Sequence, residues 1–295
     1  MPKKSALAAS LNTIASSFDE RRPRAYRLAD IRSLLDEQRE AWGLLASTRA
    51  SQLITALEAE GELRKVKLRP QVTEYRDITR YLWGGCTPLE VASTLKESGY
   101  LTHSTAVFLH GLTDQVPRTI YVNYEQTPKP APEGSLSQES ITRSFKGKQR
   151  VSRYTFQLEG TRYTLLSGKH TRGYGVQEVR GPSGEPLRTT SLERTLVDIV
   201  VRPSYAGGIY QALEAYKAAR ERNVSVPQVL AALRVLDYRY PYHQSIGFLM
   251  ERAGFKAKEL KSLRELGTDF DFYLGYGIHD PVFDKSWRVF YPEGL

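Results

Sequence analysis

The sequence predicts an α+β protein, with an N-terminal winged helix-turn-helix followed by a mixed α/β region that has a helical end. Three observations predict it. Apolar side chains recur every three or four positions in three separate runs before residue 61. Two extended, basic segments follow at 62–68 and 75–83. Beyond Gly84-Gly85, strand-like segments give way to a series of capped helical patterns. A length of 295 residues suits two domains, which we place at 1–84 and 85–295.

The first helix is expected over 5–18, where Leu7, Leu11, Ile14 and Phe18 share a face, and Asp19 to Pro23 end it. The second spans 28–36, with Leu28, Ile31, Leu34 and Leu35 inward, and 37–46 is a connection. Ser47 reads as the N-cap of a third helix over 48–60, and Gly61 as its stop. Past the double glycine, Thr87-Pro88-Leu89-Glu90 is a capping box that opens a helix running to Ser98. A short helix at 103–110 and a strand at 119–125 come next, then a Pro/Ser/Gly-rich loop at 127–138. Alternation around Glu159-Gly160 marks a β-hairpin over 152–166. A strand at 176–180 and a turn at 181–186 precede Thr190 and Glu193, read as a second capping box for a helix at 191–201. Helices are expected at 208–222, 226–236 (capped by Ser225), 242–253 and 257–266, and a strand at 269–274.

The chain is 40% hydrophobic and 25% charged, the balance of a water-soluble globular protein. Its one cysteine, Cys86, cannot form an internal disulfide, which points to a reducing compartment. No run approaches the length of a membrane span, and the basic start at residues 1–4 lacks the apolar stretch of a signal peptide, so a cytoplasmic protein is expected, with no membrane partner. A net charge of +9 favours polyanionic partners, nucleic acid first among them.

The outer face of the third helix carries Thr48, Arg49, Ser51, Gln52 and Thr55. Short hydrogen-bonding side chains with Arg and Gln suit base edges in the major groove, Arg49 on guanine and Gln52 on adenine. In the basic segments Lys65, Lys67, Arg69, Arg76 and Arg80 would contact phosphates. A solvated helix face has the same composition; the order of three helices and a basic hairpin is what favours double-stranded DNA. Residues 1–82 are only mildly basic, with fifteen Lys/Arg against eleven Asp/Glu. The densest cationic stretch, 143–180, holds Arg143, Lys146, Lys148, Arg150, Arg153, Arg162, Lys169, Arg172 and Arg180 against Glu159 and Glu178. Lys146, Lys148, Arg150, Arg153, Arg162, Lys169 and Arg172 are candidates for a second basic surface, with a solvated strand face as the alternative.

No catalytic constellation stands out. His103, His110, His170, His243 and His279 are scattered, and no HExxH, paired Cys or GxGxxG occurs, so neither a metal nor a cofactor is expected. His103 and His110 could share a helical face but lack a third ligand. Asp269 and Asp271 fall on one side of a strand and could serve a metal-dependent nuclease, yet no Glu-x-Lys follows them. Enzyme activity is not expected.

Three stretches resemble the AbiEi antitoxins of type IV toxin–antitoxin systems. They are the N-terminal helices with the segment ending Arg80-Tyr81-Leu82-Trp83-Gly84, residues 101–122 (LTHSTAVFLHGLTDQVPRTIYV), and residues 189–215, with Glu193-Arg194-Thr195, Asp198, Pro203 and Gly207-Gly208. Residues 242–254 add a weaker match. The resemblance implies a repressor that binds inverted repeats in its own promoter and whose C-terminal region counteracts a nucleotidyltransferase-like toxin without needing a stable complex. Arg194 and Asp198 lie four apart on one helical face, as a surface ion pair tying the helix to the preceding hairpin or as antitoxin residues. A stand-alone regulator that senses a ligand or defence signal is the alternative function; a nuclease is the third.

Overall fold

A computed structural model describes residues 6–130 and 134–295. Residue 5 of the expected first helix, the basic start at residues 1–4 and residues 131–133 of the expected loop lie outside it. The chain folds as a mixed α+β protein.

Helices α1 (Ala6–Asp19), α2 (Leu28–Gln38) and α3 (Ala50–Ala59) close on a core that includes Ile14, Phe18, Ile31, Leu35, Leu53 and Leu57. Their three-to-four spacing turns each set onto one face, which is why these segments are helical and why they meet. Strands β1 (Ala25–Tyr26), β2 (Leu63–Pro70) and β3 (Ile78–Trp83) accompany them; β3 pairs antiparallel with β1 on one edge and β2 on the other. Trp83 anchors the joint. Its ring stacks on Phe18 with centroids 4.8 Å apart, and its Nε1 donates to Asp19 Oδ1 at 2.9 Å. Such an aromatic pair contributes about 0.5–1.5 kcal/mol beyond the area it buries.

Thr87 and Glu90 cap α4 (Pro88–Ser93) reciprocally, at 3.1 and 2.8 Å. The second oxygen of the buried Glu90 carboxylate accepts from Arg24 N at 2.9 Å, so one side chain fastens α4 to the start of β1. Beyond α4 the order is β4 (Tyr100–Leu101), α5 (Ser104–Leu109), β5 (Thr119–Glu125), α6 (Gln138–Lys146), β6 (Thr155–Leu158), β7 (Thr161–Gly168), β8 (Val176–Arg180), β9 (Pro186–Thr190) and α7 (Leu192–Val201). A 3-10 turn at Pro203–Ala206 leads to α8 (Ile209–Glu221), α9 (Val226–Leu236), α10 (Tyr242–Arg252) and α11 (Lys261–Arg264). Strands β10 (Phe272–Tyr273), β11 (Val282–Asp284) and β12 (Val289–Tyr291) form a small separate sheet.

Among the described residues, nine strands join in one sheet in the order β1-β3-β2-β6-β7-β5-β4-β9-β8. β5 runs parallel to β7, and β4 parallel to β9. The sheet crosses the boundary placed near residue 84. Arg69 and Pro70 at the end of β2 pair with Gln157 and Phe156 of β6, and Gln71 N donates to Thr155 O at 2.9 Å. Val66, Leu68 and Leu82 share a core with Leu89, Val91 and Phe156. The helical end has its own core, built by α7 to α10 around Leu196, Ile199, Tyr216, Val229 and Ile246. There Trp287 packs close against α10, and residue 247 must be glycine to admit it; a Cβ at Gly247 would sit 2.2 Å from the indole ring.

Several boundaries differ from the sequence reading. The N-cap of α3 is Arg49, not Ser47, because Thr48 N is drawn back into a turn by Leu45 O at 2.9 Å. The N-cap of α7 is Ser191, whose Oγ accepts from Arg194 N at 3.3 Å; Thr190 completes β9 instead, and its hydroxyl meets Thr195 Oγ1 at 2.7 Å. The helices expected over 87–98 and 257–266 are shorter, and the strand expected at 269–274 shrinks to Phe272–Tyr273. Helix α6 was not anticipated, although Ile141 and Phe145 lie four apart behind Ser137, whose Oγ accepts from Ser140 N at 3.3 Å. The hairpin at Glu159-Gly160 is as expected: φ is +48° and +82° there, the two positive values that a tight two-residue turn between twisted strands requires.

Candidate nucleic-acid interface

Leu53, Ile54 and Leu57 turn α3 inward, which leaves Arg49, Ser51, Gln52 and Thr55 exposed on its other side. Thr48 stands before the helix, half-buried, its carbonyl accepting from Arg39 Nη1 at 2.9 Å. Gln52 has a local task that the sequence reading did not give it. Its Oε1 accepts from Arg49 N at 2.8 Å, so the amide closes the first turn of α3, and only its N–H donors remain uncommitted to the cap. Arg49, at the helix entrance and exposed, is the cation best placed on this face.

Strand parity sorts the hairpin. Lys65 stands opposite Tyr81, Lys67 opposite Thr79 and Leu63 opposite Trp83. Leu63, Tyr81 and Trp83 pack on the three helices, so Lys65, Lys67 and Arg69, all exposed, continue the helix side of β2 beyond that core. Arg80 does not join them. It stands opposite Val66, on the other face, and is 8% exposed. Its guanidinium donates to Thr94 Oγ1 at 2.8 Å, Thr94 O at 2.6 Å and Thr79 O at 2.7 Å, and burial pushes its pKa down to about 10. Arg80 is therefore removed from the phosphate-contact set: it ties β3 to the end of α4. Arg76 lies exposed in the β2–β3 connection. That connection is itself held down. Tyr75 meets the Tyr154 ring with centroids 4.3 Å apart, and Glu74 pairs with Arg153 at 3.1 Å.

The seven cations proposed for a second basic surface do not form one patch. Arg162 and Lys169 lie at opposite ends of β7, roughly 23 Å apart along an extended strand. Arg153 is paired with Glu74. Lys169 donates to Leu236 O at 3.0 Å and caps the C-terminus of α9, where a cation suits the helix dipole. Lys146, Lys148 and Arg172 are exposed, and Arg150 lines a cleft beside Lys169.

Arg194 and Asp198 are not a surface pair. Both side chains are almost fully covered, with Nε 3.6 Å from Oδ2. Arg194 Nη2 donates to Tyr100 OH at 2.7 Å, and Nη1 to Thr171 Oγ1 at 3.4 Å and to Tyr174 O. The residue thus ties α7 to β4 and to the turn that enters the β8–β9 hairpin. Thr102 Oγ1 donates to Asp198 Oδ2 at 3.3 Å, yet burial pushes the Asp198 carboxyl up to about 6.

The remaining chemistry-bearing residues are dispersed. His103 and His110 flank α5; His110 Nε2 meets Thr190 O at 2.6 Å, and His243 Nε2 meets Gly267 O at 2.8 Å. His170 Nδ1 lies 3.5 Å from Glu125 Oε2, and His279 is exposed. Asp271 is held by Arg288 at 2.8 Å, while Asp269 is exposed; neither sits within a strand. Among the described residues no three His, Cys, Asp or Glu side chains gather as a metal site. No helix among them is long and apolar enough to cross a membrane. Burial and the nearby Glu90 push the Cys86 thiol up to about 12, so it stays protonated at neutral pH.

His103 carries a testable consequence. It is 8% exposed, and burial, with Arg202 and Arg194 adding to it, pushes its pKa down to about 3. Folding therefore excludes a proton that the unfolded chain takes up below about pH 6.5. Stability from this residue is complete above pH 6.5 and falls by about 1.4 kcal/mol per unit as the pH drops towards 3. Asp198, with its raised carboxyl, acts in the opposite sense below pH 6. Urea unfolding of wild type and His103→Gln isolates the histidine: the stability of the variant relative to wild type should rise steadily below pH 6.5. A pH-independent difference would show that His103 is not buried neutral.

No family model matches the chain, and no curated protein does. Among solved structures, that of the RV2827C protein from Mycobacterium tuberculosis superposes with a TM-score of 0.56 at 14% identity, covering 96% of this chain and 91% of that one. At that identity the likeness is one of fold, and it extends over nearly the full length of both molecules.

Proposed function

We propose that residues 6–83 form a winged helix-turn-helix and that the chain is a DNA-binding repressor, with α3 as its recognition helix and the β2–β3 hairpin as its wing. The observation that carries this reading is the order α1-β1-α2-α3-β2-β3 with strands arranged β1-β3-β2, together with an exposed α3 face and the cationic stretch Lys65, Lys67, Arg69 on the helix side of β2. A helix presented in this way fits the major groove, while the wing contacts backbone phosphates. The resemblance of residues 101–122 and 189–215 to the AbiEi antitoxins extends the proposal: the repressed promoter is the protein's own, and the body beyond residue 84 counteracts a nucleotidyltransferase-like toxin in the cytoplasm.

A gel-shift titration of the full chain on the region upstream of its gene tests the first half. Specific retardation is expected, and Arg49→Ala should weaken it by about ten- to a hundredfold while leaving binding to random DNA nearly unchanged, as loss of one bidentate base contact does. Equal losses on both DNAs, or no retardation at low salt, would refute the recognition-helix assignment. The same variant separates the two halves in cells. Co-expressed with a toxin encoded beside it, Arg49→Ala should still restore growth while its promoter is derepressed. A point variant is preferable to truncation near residue 84, which would strip β6 of its partner strand.

A further inference from the structure

An open cleft of about 1120 Å³ lies where the carboxyl ends of the parallel strands β5 and β7 face α7 and the end of α9. Crevices outside the carboxyl ends of parallel strands are favoured ligand positions, and this one is larger than a lone phosphate ion needs. Its wall carries six Lys/Arg and two Asp. Both carboxylates are already matched: Asp198 by Arg194 and Asp237 by Lys169. Lys129, Arg150, Arg202 and Arg239 face the same space with no carboxylate partner among the described residues, and Arg239 is fixed by the carbonyls of Gly134 and Ser135 at 3.2 and 3.0 Å. Cations gathered in a recess repel one another and concentrate anions there. Tyr238 and Tyr240, both half-buried, supply aromatic surface beside them, and the buried Tyr205 backs His103.

The floor bears a second, independent mark. His103 lines the cleft, is more than nine-tenths buried, and its Nδ1 has no hydrogen-bond partner. Its backbone is held at φ +53° and ψ −131°, a conformation that a side-chain-bearing residue adopts at a cost of about 1–3 kcal/mol. A strained residue and an unmet buried polar atom at one spot oppose stability. Such features concentrate where a ligand is received.

We infer that this cleft binds a nucleotide, with the phosphates held by Arg150 and Arg202 and the base laid against the tyrosine wall. Phosphate chemistry answers the unmatched charge, and a base answers the aromatic surface, since stacking on aromatic side chains is available to any base. The site does not depend on α3 contacting DNA, so it stands or falls separately from the repressor reading.

The test is a fluorescence-anisotropy titration of the full chain with N-methylanthraniloyl-ATP at low salt, with unlabelled ATP, GTP, adenosine and pyrophosphate as competitors. Saturable binding is expected, displaced by ATP or GTP, not by adenosine, and at least about tenfold less well by pyrophosphate. Arg150→Ala and Arg202→Ala should each weaken binding by about tenfold, the effect of losing a hydrogen bond to a charged group. Arg150 is exposed, so its variant keeps the test valid even if Arg202→Ala folds poorly. Absence of saturable binding, unchanged affinity in Arg150→Ala, or competition by adenosine or pyrophosphate equal to that of ATP would overturn the inference.

Discussion

Replacing Arg194 by alanine is expected to remove about 3–5 kcal/mol of folding stability, read from the urea midpoint at neutral pH. Little of that loss reflects attraction within the pair. It comes from the almost fully buried Asp198, whose carboxyl is already raised to about 6 beside the cation and must take up a proton at neutral pH once the cation is gone, and from the loss of the ties to Tyr100 and the 171–174 turn. A domain is stable by only about 5–15 kcal/mol, so the variant should sit close to its unfolding threshold. Asp198→Asn in the same background should recover part of the loss, because a neutral amide needs no proton to be buried at neutral pH. A single-variant cost below about 1 kcal/mol would mean that the pair is solvated, as exposed ion pairs are. The antitoxin role suggested for these two residues then needs care. Loss of toxin neutralisation by Arg194→Ala carries weight only where the protein level is unchanged.

Changing Lys65, Lys67 and Arg69 together to alanine is the larger test of the proposed wing. If each neutralises one phosphate, the slope of log K against log salt should become shallower by about 2.7, and affinity at 0.1 M salt should fall several hundredfold, about equally on operator and random DNA. All three side chains are exposed, so the fold should tolerate the change. Arg80→Ala is the contrasting variant. It should lower stability by about 1–3 kcal/mol, the cost of stranding its partners at Thr94 and Thr79, while leaving the salt slope intact. A slope unchanged in the triple variant would remove the hairpin from the interface.

How far the sequence carried these conclusions depends on the range of the interaction involved. The helices α1, α2, α8, α9 and α10 were legible because each packs one periodic face, and caps such as Thr87–Glu90 act within four residues. The Glu159-Gly160 turn was legible for the same reason. Arg80 was misread because its fate depends on register: pairing with Val66 sends it to the α4 side, and no local pattern states that pairing. The two-residue strands β1 and β4 are too short to show alternation and exist only through their partners. Arg194 and Asp198 were seen as a pair, but their burial follows from β4 and the 171–174 turn closing over them. The cleft left no trace in the sequence at all. Its wall draws on segments near 103, 126, 150, 168, 202 and 239, which only the folded sheet and helices bring together.

The lacing of the β2 terminus to β6 has a mechanical consequence. An arm joined at one end could swing to follow grooves of different width, at little cost. Here the far end of the arm is also paired to β6, through Arg69 and Pro70, and its angle to α3 is set by the sheet it joins. If the hairpin docks on a duplex as proposed, a clamp held at both ends adapts little, and the fit falls to the DNA. Sequences whose backbone already holds the matching spacing, or yields to it cheaply, would be preferred even at base pairs that no side chain touches.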